Sequence, residues 1–306
     1  MTTAVFKYLD PASYTYIAET GEAPWTKVDG GGTSFKLIDK EAQVKNIRGR
    51  EDQFTTDTSG FAIHKSIATE KSFRDEKAVR ESYYPEVEAL LREKLPGVKK
   101  VIIFDHTIRR REKGAPRGPV QQVHVDQTQA AAEKRVFRHI PEEEAKELAK
   151  GRFQIINVWR PIENPASDFP LAVIDWRTTT ESDFVPITLL YPKPKDVDAN
   201  GQLVDDRGRE ALPDPNVARD STEGYEAKGV TMGVLPNNNH KFYYVKDMTP
   251  EEALFIKCSD SRGQGLPQGV DGIARCTPHT AFVDPQTPAD APGRQSIEVR
   301  CLVFYE

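Results

Sequence analysis

The sequence predicts a mainly β protein of the α+β class, in which antiparallel strands form the core and helices pack outside it. Segments with the β-branched enrichment of strands dominate from residue 98 onward. The 22 prolines outnumber the 20 glycines, a balance typical of short strands joined by loops that proline holds in place. Both observations disfavour a bundle of helices.

Residues 1–97 are predicted to contribute strands and one long helix that pack on this core. Residues 1–65 have the pattern of short strands and turns, interrupted by the flexible Gly30-Gly31-Gly32 run. Over Asp75–Lys94 apolar residues recur at steps of three and four, which predicts an amphipathic helix. Pro85 is expected to open the second part of this helix, because proline is tolerated in a first turn.

The core strands are predicted to begin directly after this helix. A β-branched run over Val98–Arg110 predicts the first strand. The second is expected at Val120–Thr128, where period-two alternation places Gln122, His124 and Asp126 on one face. Further strands are predicted at Phe153–Pro161, Leu171–Trp176, Lys241–Val245, His279–Asp284 and Ser296–Tyr305.

The connecting segments have signatures of their own. Pro141–Lys150 begins with proline and three glutamates near the positive end of a helix dipole, which predicts a short helix. Thr249–Glu252 has the pattern of a capping box and predicts the opening of a helix or a turn. Residues 109–117 are expected to form a basic loop. The polar residues 193–240 are expected to make a loop excursion over the surface.

Composition excludes several classes of protein. The 306 residues are 38% hydrophobic and 9% aromatic, enough for a sizeable core, and no stretch approaches the ~18–20 apolar residues of a membrane span. The 42 basic and 47 acidic side chains give a formal net charge of −5, so nothing draws the chain to nucleic acid or anionic lipid. The three cysteines lack Cys-x-x-Cys spacing and the N-terminus lacks a secretory pattern, so we expect a soluble, cytoplasmic protein.

The His124-Val125-Asp126 sequence is the first candidate for a metal site. Residues two apart on a strand point the same way, so an imidazole and a carboxylate can reach one ion. A histidine from a distant strand would complete a face of two histidines and one carboxylate. Such a face leaves three coordination positions open, as non-haem Fe(II) and O₂ chemistry requires. His279, at the start of a predicted strand, is the candidate for the third ligand.

A basic residue follows His279 at a distance of 15 positions, at the mouth of the last predicted strand. Arg294 and Ser296 lie two apart there, so both side chains can face inward. An arginine can hold a carboxylate through two hydrogen bonds, and a serine hydroxyl can add a third. The pair is therefore suited to the far carboxylate of a dicarboxylate cosubstrate, and the order His-x-Asp, His, Arg-x-Ser rarely arises by chance.

Eight stretches of the sequence carry a resemblance to a known enzyme family. They are YYPEVEALL (83–91), IFDHTIRRR (103–111), PVQQVHVDQT (119–128), GRFQIINVWRPI (151–162), DFPLAVID (168–175), KFYYVKDMTPEEALFIKCSDS (241–261), and ARCTPHTAFVDP with APGRQSIEVR (274–300). Through them the chain resembles the Fe(II)/2-oxoglutarate-dependent hydroxylase/desaturases of fungi and bacteria. The resemblance covers the chain from about residue 40 to its last residue.

The resemblance has direct implications for fold and site. It implies a double-stranded β-helix (jelly-roll, cupin-like) core with flanking helices. It implies an iron ligated by His124, Asp126 and His279, with O₂ as a cosubstrate. It further implies that Arg294, together with Ser296, anchors 2-oxoglutarate.

The domain organisation follows from where these residues lie. We expect a single oxygenase domain over residues 1–306, in which residues 1–97 pack on a jelly-roll core formed by residues 98–306, with the loop excursion at 193–240. A boundary near residue 150 would cut the proposed site in half. The sequence departs from the family's pattern at Gly293, where a second proline is expected.

Two more side chains are fallback candidates for holding the cosubstrate. Arg300 shares the strand face of Arg294 and Ser296, although an internal ion pair with Glu298 is the alternative and is favoured. Asn157 could donate a hydrogen bond to the cosubstrate or to an iron-bound water. It could equally be a buried amide that satisfies loop backbone.

Three side chains are candidates for binding the substrate. Arg109 belongs to a run of three arginines that usually marks a solvated edge, but one of them could point inward to a carboxylate. Trp159 and Tyr243 could line the cavity, and each could instead be part of the core. No catalytic residue is expected beyond the iron ligands.

The predicted function is that of a non-haem Fe(II)/2-oxoglutarate-dependent dioxygenase of specialised metabolism. Such an enzyme would hydroxylate, desaturate or oxidatively cyclise a small molecule at an unactivated C–H bond, with release of succinate and CO₂. Two alternatives stay open. The chain could be a non-catalytic jelly-roll accessory subunit, or an iron oxygenase that does not use 2-oxoglutarate. It could act as a monomer or a homodimer, without nucleic acid or membrane partners.

Overall fold

A computed structural model describes residues 1–28, 31–112, 118–193 and 220–306 of the chain. The strands are β1 (Thr2–Leu9), β2 (Trp25–Lys27), β3 (Leu37–Asn46), β4 (Phe61–Lys65), β5 (Val98–Arg110), β6 (His124–Val125), β7 (Phe153–Pro161), β8 (Leu171–Ile174), β9 (Phe184–Pro192), β10 (Tyr225–Val234), β11 (Phe242–Tyr244), β12 (Glu252–Asp260), β13 (His279–Ala281) and β14 (Gln295–Tyr305). The helices are α1 (Pro11–Thr20), α2 (Glu76–Ala78), α3 (Tyr84–Lys94), α4 (Gln129–His139) and α5 (Glu142–Leu148), and a π-helical segment, Val79–Tyr83, joins α2 to α3.

These strands form two sheets, so the predicted mainly β class is confirmed. The larger sheet has nine strands in the order β1-β3-β11-β8-β13-β6-β10-β9-β2. The smaller has five, in the order β4-β12-β7-β14-β5, and all of its pairs are antiparallel. A cluster of buried side chains from both sheets forms the main core, with Val173 from the larger sheet and Trp159, Leu254 and Ile256 from the smaller.

The five-stranded sheet is covered on both faces. One face packs in the main core. The other packs against the helical segment around Val87 and Leu91, which lies over Val158, Phe255 and Val299. Every residue of β7 and of β12 is buried as a result. The polar residues of these strands, such as Asn157 and Arg160 in β7, are therefore buried together with the apolar ones.

The helix predicted over Asp75–Lys94, with Pro85 opening its second part, has three parts, and Pro85 does lie in the first turn of the last one. The π-helical segment, of a kind often found at functional or strained positions, ends at Tyr83. The Tyr83 hydroxyl accepts a hydrogen bond from Nε of Arg160 over 3.0 Å. Arg160 is buried and also donates to the carbonyl oxygens of Ser66 and Pro250. Oxygen atoms from three segments thus surround this guanidinium and hold the helix on β7.

Two sequence predictions are corrected by the strand pairing. The strand expected at Val120–Thr128 is only the two residues of β6, because Gln122 bridges to Lys7 in β1 and Thr128 caps α4. The loop excursion expected at 193–240 is wrong for residues 225–234, which form β10 between β9 and β6. Glycines and polar residues along β10 hide its strand pattern. Residues 194–219, Gly30 and residues 113–117 of the basic loop lie outside the described residues.

Other elements have no predicted counterpart or a shorter one. The helices α1 and α4 and the strand β12 were not foreseen by the periodicity. Thr249–Glu252 makes one of the two contacts of a capping box, since the Glu252 carboxylate accepts from the Thr249 amide over 2.8 Å, but the chain continues as β12. Of the two elements predicted at Thr249–Glu252, a helix or a turn, the turn is correct. Among the described residues, no helix has the length and apolar character needed to cross a membrane.

Candidate metal centre and cosubstrate cavity

The three side chains predicted to bind iron lie together between the two sheets. His124 in β6 and His279 in β13 are directly paired across the larger sheet, and their ring centroids are 4.5 Å apart. Asp126 follows β6, and its Oδ1 lies 3.3 Å from Nε2 of His124 and 3.8 Å from Nε2 of His279. One donor atom from each residue lies within 4.8 Å of the other two, so a single ion can contact all three.

Backbone carbonyls fix the orientation of both imidazoles. Nδ1 of His124 donates to the carbonyl oxygen of Gln122 over 2.7 Å, and Nδ1 of His279 donates to that of Thr277 over 3.0 Å. A carbonyl can only accept, so Nδ1 carries a proton in both rings and Nε2 is the nitrogen available to a metal ion. Each Nε2 faces Asp126, which is the arrangement that orients histidines for a metal ion.

Burial and nearby charges shift the pKa values of all three side chains. Burial, helped by the nearby His124, lowers the pKa of His279 to about 4, so this imidazole stays neutral. Burial works against ionisation of Asp126, but His124 and Arg300 bring the pKa of that carboxyl well below its usual value. Burial opposes protonation of His124, but its hydrogen bond with Asp126 raises the pKa of His124. The carboxylate is thus ionised and ready to bind a cation.

This donor set fits Fe(II). Two imidazole nitrogens and one carboxylate oxygen form the face that non-haem iron oxygenases use, with three positions left for other ligands. A structural zinc site would need a fourth protein ligand, usually a cysteine or histidine. All three cysteines, Cys258, Cys276 and Cys301, are buried free thiols, and none belongs to the group of possible ligands around Asp126.

A cavity opens beside the three ligands. Both sheets contribute to its wall. The lining residues are Thr107, Arg109, Val120, His124, Asp126, Trp159, Leu171, His279, Thr280, Ala281, Arg294, Ser296, Glu298 and Arg300. The alternation predicted for the last strand accounts for four of them, since Arg294, Ser296, Glu298 and Arg300 all face the cavity.

Arg294 is the most buried cation of the cavity wall. Its side chain is 2% exposed, and Nη1 donates to the carbonyl oxygen of Phe169 over 2.6 Å. Nε is buried with no hydrogen-bond partner among the described residues. Burial and the nearby Arg109 lower the pKa of Arg294 to about 9. A guanidinium with an unused donor beside a cavity is suited to a carboxylate.

Arg300, the fallback anchor, is engaged elsewhere. Its Nη2 lies 2.7 Å from Glu298 and its Nη1 3.1 Å from Asp105, so the ion pair with Glu298 is the alternative that the structure favours. Its Nε lies 3.4 Å from Oδ2 of Asp126. The same carboxylate oxygen accepts a hydrogen bond from Nδ2 of Asn157 over 2.7 Å. Arg300 is thus engaged by protein carboxylates, and Asn157 is not among the residues that line the cavity.

The three substrate candidates separate into two groups. Arg109 and Trp159 line the cavity, and Nη1 of Arg109 also donates to the carbonyl oxygen of Gly118 over 3.1 Å. Tyr243 is absent from the wall and packs instead against Phe54 and Phe61, with ring centroids 4.8 and 6.3 Å away. Tyr243 is therefore part of the core, as the alternative to its predicted role in the cavity stated.

Sequence reasoning missed several residues of the wall. Thr107 stands opposite Glu298 in the pairing of β5 with β14, and Arg109 stands opposite Ser296. Arg109 is already a candidate from the sequence, and period-two alternation along β5 places the missed Thr107 on the same face. Leu171 begins a strand of four residues and Thr280 is the middle of a strand of three, and strands this short carry no pattern that marks them.

Gly293 has a structural reason to be glycine. A Cβ at this position would lie 2.2 Å from the carbonyl oxygen of Arg111, closer than backbone atoms allow. The amide of Arg111 in turn donates to the carbonyl oxygen of Arg294 over 2.8 Å. A proline, as the family pattern suggests, would also carry a Cβ, so the close approach of these two segments requires glycine here.

We expect Gly293→Ala to loosen the segment that carries Arg294. Overpacking against backbone typically costs ~1–3 kcal/mol, so the free energy of unfolding should fall by that amount and 2-oxoglutarate should bind more weakly. Urea unfolding and calorimetric titration would measure both. Gly118→Ala is the matched control, since a Cβ there meets nothing within 4 Å. Equal effects of the two substitutions would contradict this account of Gly293.

Comparisons with known proteins find similarity along nearly the whole chain. A family model described as "YDMC: Oxidoreductase/YMDC permease-like domain" matches residues 7–208 and 212–304. The hydroxylase/desaturase efuI of Hormonema carpetanum is 31% identical over 100% of this chain and 98% of its own length. The hydroxylase/desaturase CTB9 of Cercospora beticola is 34% identical over 89% of this chain and 78% of its own.

A solved structure extends the similarity to the fold and the cofactors. The iron and alpha-ketoglutarate-dependent endoperoxidase NvfI superposes with a TM-score of 0.76 at 25% identity, over 99% of this chain and 98% of that one. The jelly-roll fold predicted from the sequence resemblance is confirmed by this match. The sequence resemblance itself is confirmed by the curated relatives. The chain therefore belongs to the family of Fe(II)/2-oxoglutarate-dependent hydroxylase/desaturases.

Proposed function

We propose that this enzyme holds Fe(II) with His124, Asp126 and His279 and 2-oxoglutarate with Arg294 and Ser296. The observation that carries the proposal is that the three ligands and a buried arginine with an unused donor face one cavity. A dicarboxylate could reach from the metal centre to Arg294 across this space. The Ser296 hydroxyl is buried beside it and can add a hydrogen bond.

Iron and 2-oxoglutarate, when bound, supply the oxidation of an unactivated C–H bond with release of succinate and CO₂. The protein positions the bound molecules and excludes water from them. Val120, Leu171 and Ala281 give the wall apolar surface that keeps water from the reacting atoms. Arg294 fixes the far end of the cosubstrate, and the backbone of Gln122 keeps the lone pair of His124 aimed at the centre. No other side chain is assigned a catalytic role.

The substrate is proposed to be a small molecule of specialised metabolism that contacts Arg109 and Trp159. Both side chains line the cavity, and one offers donors while the other offers an aromatic face. The curated relatives efuI and CTB9 are named hydroxylase/desaturase and NvfI is described as an endoperoxidase. We propose hydroxylation, desaturation or oxidative cyclisation as the outcome for this chain.

The test is succinate formation. With Fe(II), ascorbate and 2-oxoglutarate, the protein should release succinate, and the rate should rise with the true substrate in a panel of polyketides, terpenoid acids and amino acids. EDTA and Asp126→Ala should each abolish the product, measured by liquid chromatography and mass spectrometry. Iron-dependent O₂ consumption without succinate would indicate an oxygenase that does not use 2-oxoglutarate. No turnover with any compound would favour an accessory subunit.

The organisation and location of the enzyme complete the proposal. A single domain over residues 1–306 is supported by a cavity whose described wall runs from Thr107 to Arg300 and draws on both sheets. A cytoplasmic location is supported by three buried free cysteines, which suit a reducing compartment. Gel filtration would distinguish a monomer from a homodimer.

A further inference from the structure

Two residues of the five-stranded sheet contact a proposed ligand that belongs to the opposite sheet. Asn157 in β7 and Arg300 in β14 stand directly opposite each other in the strand pairing. Cross-strand partners project from the same face of a sheet, and here both side chains reach Asp126. The contact therefore crosses the space between the two sheets.

The two oxygens of Asp126 have different surroundings. Oδ1 faces the Nε2 atoms of His124 and His279, at 3.3 and 3.8 Å. Oδ2 accepts from Nδ2 of Asn157 over 2.7 Å and lies 3.4 Å from Nε of Arg300. One oxygen is thus directed at the metal centre, and the other is occupied by the protein.

Asn157 is an unfavourable residue for its position unless this contact is needed. The side chain is 0% exposed, and its Oδ1 is buried without a hydrogen-bond partner among the described residues. A buried amide oxygen without a partner destabilises the fold, and a leucine of similar shape would avoid that cost. The hydrogen bond to Asp126 is the one interaction of this amide that explains its presence in the core.

Arg300 is held rigidly in the same place. Its Nη1 donates to Oγ1 of Thr107 over 2.9 Å and lies 3.1 Å from Asp105. Its Nη2 lies 2.7 Å from Glu298, which is a second carboxylate in the cavity wall. Arg300 therefore fixes Asp126 and also keeps Glu298 paired, so that Glu298 is not available as a further ligand.

We propose that Asn157 and Arg300 are positioning residues that restrict Asp126 to binding the metal through Oδ1 alone. A carboxylate that used both oxygens would occupy one of the three positions that 2-oxoglutarate and O₂ need. This inference rests on the proposed metal site and adds a function for two residues outside it. Partners of this kind typically change metal affinity by ~10–100-fold when they are removed.

The test measures Mn(II) binding to the metal-free protein. The electron paramagnetic resonance signal of the free ion reports how much Mn(II) stays unbound. The parent should bind one Mn(II), and Asn157→Leu should bind about tenfold more weakly. The melting temperature of metal-free Asn157→Leu should stay within about 3 °C of the parent, because the substitution also removes the unpaired oxygen. Arg300→Met leaves Glu298 unpaired, so Arg300→Met/Glu298→Gln is the appropriate second variant, with a similar loss expected.

Controls separate this inference from the proposed function. Arg152→Met removes another ion-paired arginine, which directly precedes β7 and bonds to Asp57 and Asp260, and it should lower stability while leaving Mn(II) affinity unchanged. Co(II)-loaded Asn157→Leu should show an altered visible absorption spectrum if Asp126 changes its binding mode. Parent-like Mn(II) affinity and Co(II) spectra in both variants would overturn the inference. A parent that binds no Mn(II) would instead overturn the proposed metal site.

Discussion

His279→Ala should abolish turnover and weaken Mn(II) binding by at least ~100-fold. A four-ligand zinc site binds its ion with ~10–16 kcal/mol, so one ligand accounts for ~3 kcal/mol, and each ~1.4 kcal/mol is a factor of ten. His279 is also 3% exposed, which leaves no room for another side chain to take its place without rearrangement. The measurements are calorimetric titration with Mn(II) and succinate release with Fe(II).

We expect this effect from loss of a metal ligand and not from loss of a histidine in general. His64→Ala is a suitable control, because His64 packs against Phe255 with ring centroids 4.6 Å apart and does not line the cavity. It should leave Mn(II) affinity within about twofold of the parent. His124→Ala and Asp126→Ala should behave like His279→Ala. Full activity of any one of the three would contradict the proposed ligand set.

The strands that could be predicted from the sequence are those with strong β-branched character. The runs at Val98–Arg110 and Phe153–Pro161 coincide with β5 and β7 residue for residue. The predicted starts at Leu171 and His279 also hold, although both strands end earlier than expected. By contrast β10 combines glycines with charged residues, and its place in the sheet comes from pairing with β9 and β6, which no local pattern records.

The candidate site was predictable to the extent that it lies in short motifs. His124-Val125-Asp126 and Arg294-Gln295-Ser296 each place two side chains on one face, and the structure brings both pairs to one cavity. The partners of Asp126 were not predictable in the same way. Asn157 is 31 residues from Asp126 along the chain and contacts it only because the two sheets face each other.

Arg294→Met should weaken 2-oxoglutarate binding by about 100-fold or more while leaving Mn(II) affinity unchanged. Removing one partner of a buried, charged hydrogen-bonded pair costs ~2–5 kcal/mol, which corresponds to roughly 30- to 4,000-fold in affinity. Arg294→Lys keeps the charge but not the planar fork and should lose less. Ser296→Ala removes a single neutral hydrogen bond, worth ~1 kcal/mol, and should cost about fivefold.

The comparison among these variants tests the anchor more strictly than activity alone. Titration of the Mn(II)-loaded protein with 2-oxoglutarate separates cosubstrate binding from metal binding, and Arg177→Met, whose exposed side chain pairs with Asp175, controls for loss of an arginine. If Arg294→Met bound 2-oxoglutarate like the parent, the carboxylate would have to be held by Arg109, because Arg300 is already engaged by Asp105, Asp126 and Glu298. If only the Arg294 and Ser296 variants lost 2-oxoglutarate affinity, the cosubstrate would lie along the start of β14. That is the end of the cavity away from Asn157 and Arg300, the partners of Asp126.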